Sequence, residues 1–182
     1  PYSFILNEGE HLSILAIDGA KECCIELNSM SKSHNMPGWR VGMLAANAEF
    51  VSWILKVKSN IDSGTFRAVQ LAAAAAMDND EDWHREHNVR RYAERRTLAE
   101  SIMQALGCRF DRAQTGLFLW GRIPDALADA EELTERALHE ADVFITPGGI
   151  FGQNGRRYVR ISLCADENRM SEALARIQNV FA

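Results

Sequence analysis

From about residue 115 to its end the chain alternates between two periodicities. This alternation limits what it can fold into more than any other feature. TGLFLWGRI (115–123), DVFITPG (142–148) and RRYVRISLC (156–164) are short runs rich in aromatic and β-branched residues, the composition of strands. Between and after them, DAEELTERALHEA (129–141) and DENRMSEALARIQNVF (166–181) carry apolar residues at helical spacing. Strands that alternate with helices in so short a span predict a mixed α/β layer structure.

The upstream part reads less regularly. YSFIL (2–6) has strand propensity, and GEHLSILAI (9–17) reads as a turn and a short helix. KECCIELNS (21–29) reads as a buried strand through Cys24, Ile25 and Leu27, with VGMLAA (41–46) a second short strand. Residues 48–58 place Phe50, Ile54 and Val57 on one helical face, SNIDSG (59–64) is a capping loop, and the alanine-rich 65–77 is a strong helix former. DNDED (78–82) is an acidic start for a helix from about Trp83 to Leu106, with Val89, Tyr92, Leu98, Ile102 and Leu106 on one face. The spacing predicts two parts, 1–82 and 83–182, joined near residues 78–90.

A net charge of −5 gives no support to nucleic-acid binding, and no apolar run reaches the ~18 residues of a membrane span. The start, PYSFILNEGE, lacks the basic region and apolar core of a signal peptide. The four cysteines make no CxxC pair, so they are expected as small buried apolar residues in a reducing, cytoplasmic compartment. His84 and His87 lack a third ligand, which leaves no metal site and predicts a solvated helix face. RRYAERR (90–96) predicts the same. GGIFGQNG (148–155) lacks the Gly-Lys-Ser/Thr of a phosphate loop and precedes a strand. Trp39, Trp53, Trp83 and Trp120 are expected in packing.

One loop carries chemistry. NSMSKSHNMPGWRVG (28–42) gathers Ser29 and Ser31 hydroxyls, the Lys32 amine, the Arg40 guanidinium, and Gly38 and Gly42, where the backbone turns or approaches a ligand. A guanidinium suits a phosphate, and a lysine made nucleophilic by desolvation or neighbouring cations forms a Schiff base with an aldehyde. Pyridoxal phosphate is both a phosphate and an aldehyde.

Ser-x-Ser-Lys with arginine eight residues after the lysine closely resembles the cofactor-lysine motif of class I/II aminotransferases, the fold type I pyridoxal-phosphate enzymes. RRYVRISL resembles the family's strand whose arginine, here Arg160, binds a substrate α-carboxylate. The resemblance spans the whole chain. It implies the C-terminal part of the fold type I large domain (1–82) followed by a complete α+β small domain (83–182), with an upstream half absent. It also implies roles. Lys32 holds the cofactor and then serves as general base, Tyr2 hydrogen-bonds the cofactor ring oxygen, Ser29 and Arg40 hold the phosphate with Ser31 a weaker candidate, and Arg160 holds the substrate. Tyr2 falls where the family has a tyrosine preceded by proline. The family's ring-pairing aspartate would fall before Pro1.

The expected activity is amino-group exchange between an amino acid and a 2-oxo acid, in a homodimeric parent whose SNIDSG loop approaches the neighbouring site. Alanine, aspartate, aromatic and diaminopimelate substrates all stay open. Two alternatives stand beside it: a carbon–sulfur lyase of the same fold, and a catalytically silent fragment whose exposed apolar surface favours self-association.

Overall fold

The computed structural model describes residues 2–7 and 9–181. Pro1, and the expectation attached to it, lie outside the described residues. The chain forms two compact units, residues 1–89 and 90–182.

In the first unit a 3-10 turn (Ile14–Ala16) and helix α1 (Ala20–Cys23) lead to strand β1 (Glu26–Ser29). Helix α2 (Met30–Ser33) follows, and then strand β2 (Gly42–Ala45). The strands pair antiparallel with Ser29 opposite Gly42. Glycine is required there: a Cβ on residue 42 would stand 2.5 Å from the Asn28 carbonyl oxygen. So Gly42 serves strand pairing, while Gly38 faces open space. Helix α3 (Ala48–Ile61) begins at Asn47, whose Oδ1 accepts the Phe50 N–H at 2.9 Å. Helix α4 (Arg67–Asp78) lays its alanine face, Ala72, Ala73 and Ala76, on a small core of Met30, Met36 and Val41. Helix α5 (Asp80–Trp83) passes into a π-helical segment, His84–Arg91, and that into α6 (Tyr92–Ala105).

The second unit has a three-stranded antiparallel sheet in the order β3 (Phe118–Arg122), β5 (Tyr158–Ser162), β4 (Thr146–Pro147). Leu119, Val159 and Ile161 point to the side where α6, α7 (Ala130–Ala141) and α8 (Glu167–Phe181) pack, and Met103, Ala137 and Ile177 complete this core. Gly148 and Gly155 meet backbone to backbone, and a Cβ on either would collide with the other's main chain. That contact explains the glycine-rich loop without a ligand.

Several expectations fail. Residues 2–6 are no strand. The Ile5 N–H closes a turn onto the Tyr2 carbonyl at 3.0 Å, and Leu6 takes φ +52°, which breaks an extended run. β1 exists but is not buried: Leu27 within it is 68% exposed and Ile25, just before it, 44%. α3 likewise has no buried residue, and it continues to Ile61, which takes in the first three residues of the expected capping loop. Only Cys108 is buried; Cys23 and Cys164 are exposed and Cys24 half-buried. Trp39 and Trp53 are about half exposed rather than packed.

The expected solvated faces also hold structure. His87 is buried and stacks on Trp83, and His84 meets the rings of Phe4 and His11 edge-on. Arg96 is buried. Its Nε donates to Glu100 at 2.9 Å and its Nη1 to the Gln114 carbonyl at 2.8 Å. Arg95 donates to Glu167 at 2.8 Å and to the Leu163 carbonyl at 3.2 Å. Guanidiniums in RRYAERR thus satisfy carbonyls that end neighbouring elements, which a charge pattern alone does not reveal.

Candidate active site

The lysine-bearing turn is built by its serines. Ser29 ends β1 in an extended conformation and caps α2: its Oγ accepts the Ser31 N–H at 3.2 Å and lies 3.0 Å from the Ser31 Oγ. Its own N–H is held by the Asn28 side-chain oxygen at 2.7 Å. Lys32 lies in the single turn of α2, half-buried, and among the described residues it has no carboxylate partner. The chain then takes left-handed conformations at Asn35 (φ +50°) and Arg40 (φ +51°), on either side of the Pro37–Trp39 turn. Arg40 is exposed, and its Nη1 donates to the Pro37 carbonyl at 2.9 Å, which folds the guanidinium back along the loop.

Two hydroxyls, an amine and a guanidinium within twelve residues are a donor set for a phosphate-bearing aldehyde. The residues present therefore fit pyridoxal phosphate in their chemistry. Tyr2, 41% exposed, opens the turn that ends at Ile5. At the end of α3, the Lys58 ammonium hydrogen-bonds the carboxylate of Asp62, the residue after the helix, at 2.7 Å, and together with the Gly64 N–H it holds that carboxyl below the ordinary range.

Two residues missed in the sequence bear on this turn. The carbonyl of Ser33, next to Lys32, accepts from the Trp83 indole Nε1 at 2.7 Å and the Asn88 Nδ2 at 2.8 Å. The only sequence signal was a polar asparagine inside a helical run, a position it disfavours without a partner.

In the second unit, Arg160 sits mid-β5 opposite Trp120 and Thr146. Its guanidinium lies between two rings, 4.1 Å from the centre of Phe118 and 4.3 Å from that of Phe151. Such stacking occupies the faces of the plane and leaves its N–H edges. The Nε is buried and among the described residues has no hydrogen-bond partner, an orphaned donor of the kind that a bound anion would satisfy. Arg160, Thr146, Ser162, Phe144 and Arg169 help line a cavity of about 320 Å³ in this unit. The nearby arginines do other work: Arg157 is spent on the carbonyls of Pro124, Leu127 and Ala128, and Arg156 pairs with Asp129 at 3.4 Å. Of the expected site residues, the structure gathers Ser29 and Lys32 with Ser31 in one turn. It places Arg40 eight residues on in the same loop, Tyr2 in the amino-terminal turn, and Arg160 in the other unit.

Residues 4–177 match the family model described as aminotransferase class I and II. The LL-diaminopimelate aminotransferase of Nitratidesulfovibrio vulgaris strain Miyazaki F is 40% identical over 171 residues, which cover 93% of this chain and 43% of the relative. That of Aquifex aeolicus is 39% identical, over 92% of this chain and 43% of its own length. Among solved structures, apo-BacF from Bacillus subtilis superposes with a TM-score of 0.86 at 29% identity, over all of this chain and 46% of that one. A probable N-succinyldiaminopimelate aminotransferase from Thermus thermophilus superposes with a TM-score of 0.83 at 33% identity, over 99% of this chain and 48% of that one. The chain belongs to the class I and II aminotransferase family and has its fold. It spans less than half the length of the curated relatives it matches.

Proposed function

We propose that the protein to which this sequence belongs is a pyridoxal-phosphate-dependent aminotransferase, exchanging an amino group between an amino acid and a 2-oxo acid. The observation that carries the reading is the Ser29-capped turn. It holds Lys32 beside two hydroxyl donors and, among the described residues, without a carboxylate partner. In this reading residues 1–82 are the remnant of the cofactor-binding domain and residues 83–182 the small domain. The bound cofactor supplies an electron sink for the charge left when the substrate α-carbon loses its proton.

The chain's own residues do the rest. Ser29 and Arg40 hold the phosphate by hydroxyl and guanidinium donors, with Ser31 beside them. The Lys32 amine holds the cofactor; once free, its Nζ takes the proton from the substrate α-carbon and returns it as general base and acid. Tyr2 donates a hydrogen bond to the ring oxygen. Arg160, its faces closed by Phe118 and Phe151, presents its N–H edge to the substrate α-carboxylate in bidentate fashion. The family's enzymes are expected to act as homodimers. The relatives named LL-diaminopimelate aminotransferases make LL-diaminopimelate the first amino donor to try.

The test is borohydride trapping. The protein is incubated with pyridoxal phosphate and reduced, and its peptides are analysed by mass spectrometry. A pyridoxyl group on Lys32, lost in Lys32→Ala, is the expected result. Labelling scattered over Lys21, Lys56 and Lys58 contradicts the reading. Consumption of an added 2-oxo acid then separates transamination from elimination by a carbon–sulfur lyase.

A further inference from the structure

We propose that Asn88, together with Trp83 and the π-helical segment that follows Trp83 and contains Asn88, is a positioning residue for the Lys32 amine. This rests on the reading of Lys32 as the amine that holds the cofactor.

The turn that carries Lys32 is weak on its own. α2 is four residues long, far below the length at which a helix sustains itself, and left-handed residues at 35 and 40 follow it. Its geometry has to be set from outside. Two donors converge on the carbonyl of the adjacent residue, Ser33, and both lone pairs of that oxygen are used. The donors are five residues apart in sequence. At 3.6 residues per turn an ordinary α-helix would separate residues five apart by about 140° around its axis, so they could not reach one atom. The π form repeats from i to i+5 and brings such a pair onto one face. His84–Arg91 is in that form, and Trp83 and Asn88 meet at one oxygen. The departure from α geometry therefore falls where this convergence needs it.

Asn88 does more than donate once. It is 1% exposed and each of its polar side-chain atoms is committed. Nδ2 reaches Ser33, and Oδ1 lies 3.1 Å from the His87 Nδ1, which fixes the amide's orientation. Its main-chain carbonyl accepts the Leu6 N–H at 3.1 Å. One buried residue thus ties down both the turn bearing Lys32 and the segment bearing Tyr2. The Ser33 carbonyl belongs to the peptide that closes the single turn of α2, so anchoring it holds that turn and, with it, the direction in which the Lys32 side chain leaves the backbone.

The test compares Trp83→Phe and Asn88→Ala with the unaltered full chain. Trp83→Phe keeps an aromatic ring against His87 while removing the indole N–H together with the second ring. Amide hydrogen exchange is followed without cofactor at His34 and Met36, whose N–H groups donate to the Met30 carbonyl. Pyridoxyl labelling of Lys32 is followed against Lys21 and Lys58 in the same sample. Each variant is expected to speed exchange at His34 and Met36 by about five- to tenfold, the worth of one hydrogen bond. Exchange within α4 should not change. Each should also slow labelling of Lys32, but not of Lys21 or Lys58, by a similar factor. If Asn88→Ala does not fold, Trp83→Phe decides. Unchanged exchange overturns the inference, and so does faster exchange with unchanged Lys32 labelling, which would make the clamp structural only. Absence of Lys32 labelling in the unaltered chain, with faster exchange in the variants, overturns the catalytic reading instead.

Discussion

The two units of this chain bury their apolar residues to very different extents. In the second, Leu119, Ile123, Val159, Leu163 and Ile177 are fully enclosed between one sheet and three helices. In the first, the buried apolar set is small: Ile5, Ala20, Met30, Met36 and Ala73. Helix α3 leaves Trp53, Leu55, Val57 and Ile61 between 53% and 78% exposed. Both units have well-formed helices with proper caps, so local sequence quality does not separate them. What separates them is whether an amphipathic face finds a partner within the unit. The candidate cofactor lysine lies in the loosely buried unit, and the expected carboxylate arginine in the well-buried one. The Lys32 turn therefore depends on a few hydrogen bonds, whereas Arg160 is held in a strand with a complete core behind it.

The comparison can be broken most sharply with thiol chemistry. Burial pushes the Cys108 thiol up to about 12, whereas Cys23 in the first unit is exposed. At pH 8 Cys108 should react with a disulfide reagent roughly a thousandfold more slowly than an ordinary exposed thiol, because so little thiolate is present. Fast modification of Cys108 in native protein, read by peptide mass spectrometry, would show that the second unit opens readily.

Core truncation comes next. Leu119→Ala should cost about 2–5 kcal/mol in denaturant unfolding, through lost burial and a cavity. Leu55→Ala, at an exposed position, should stay within about 0.5 kcal/mol. Similar costs at the two sites would mean that α3 has a partner under the conditions of measurement, which would sharpen the comparison rather than leave it as drawn.

The smallest expected effect is electrostatic. The Arg95 guanidinium hydrogen-bonded to Glu167 holds that carboxyl below its ordinary range. A lowered folded value means that the stabilisation is complete above the unfolded glutamate pKa and is lost as pH falls through the folded one. Glu167→Gln should therefore lower the melting temperature slightly near neutral pH and leave it unchanged at the acid end. Because Glu167 is 40% exposed, the difference should be small and should shrink further with added salt. A melting difference that persists unchanged below pH 4 would show that the pair does not act through this ionisation.

Much of this was legible because it is local. Ser29, Lys32 and Arg40 belong to one loop, and their spacing survives in the structure as a serine-capped turn and a left-handed arginine. The alternation after residue 115 became three strands and two helices near the expected places, with the strand in DVFITPG cut to Thr146–Pro147. The errors share a cause. Leu27 and the apolar residues of α3 have the propensity of buried elements, but propensity does not supply a neighbour, and YSFIL buries Ile5 from a turn rather than from a strand. RRYAERR and His87 look solvated by charge and polarity, yet both Arg96 and His87 are buried: Arg96 reaches the Gln114 carbonyl 18 residues on, and His87 stacks on Trp83 and meets the Asn88 side chain.

The sequence by itself determined a candidate donor set in one loop, the arginine on the last strand, and the order of helices and strands after residue 115. These follow from residue type and short-range spacing, which act within a few residues along the backbone. Only the tertiary structure decided which apolar faces are covered, that Phe118 and Phe151 close on Arg160, and that Trp83 and Asn88 reach the Ser33 carbonyl across 50 and 55 residues of chain. Such contacts depend on the register of a helix and the packing of segments distant in sequence, and no local spacing rule contains them.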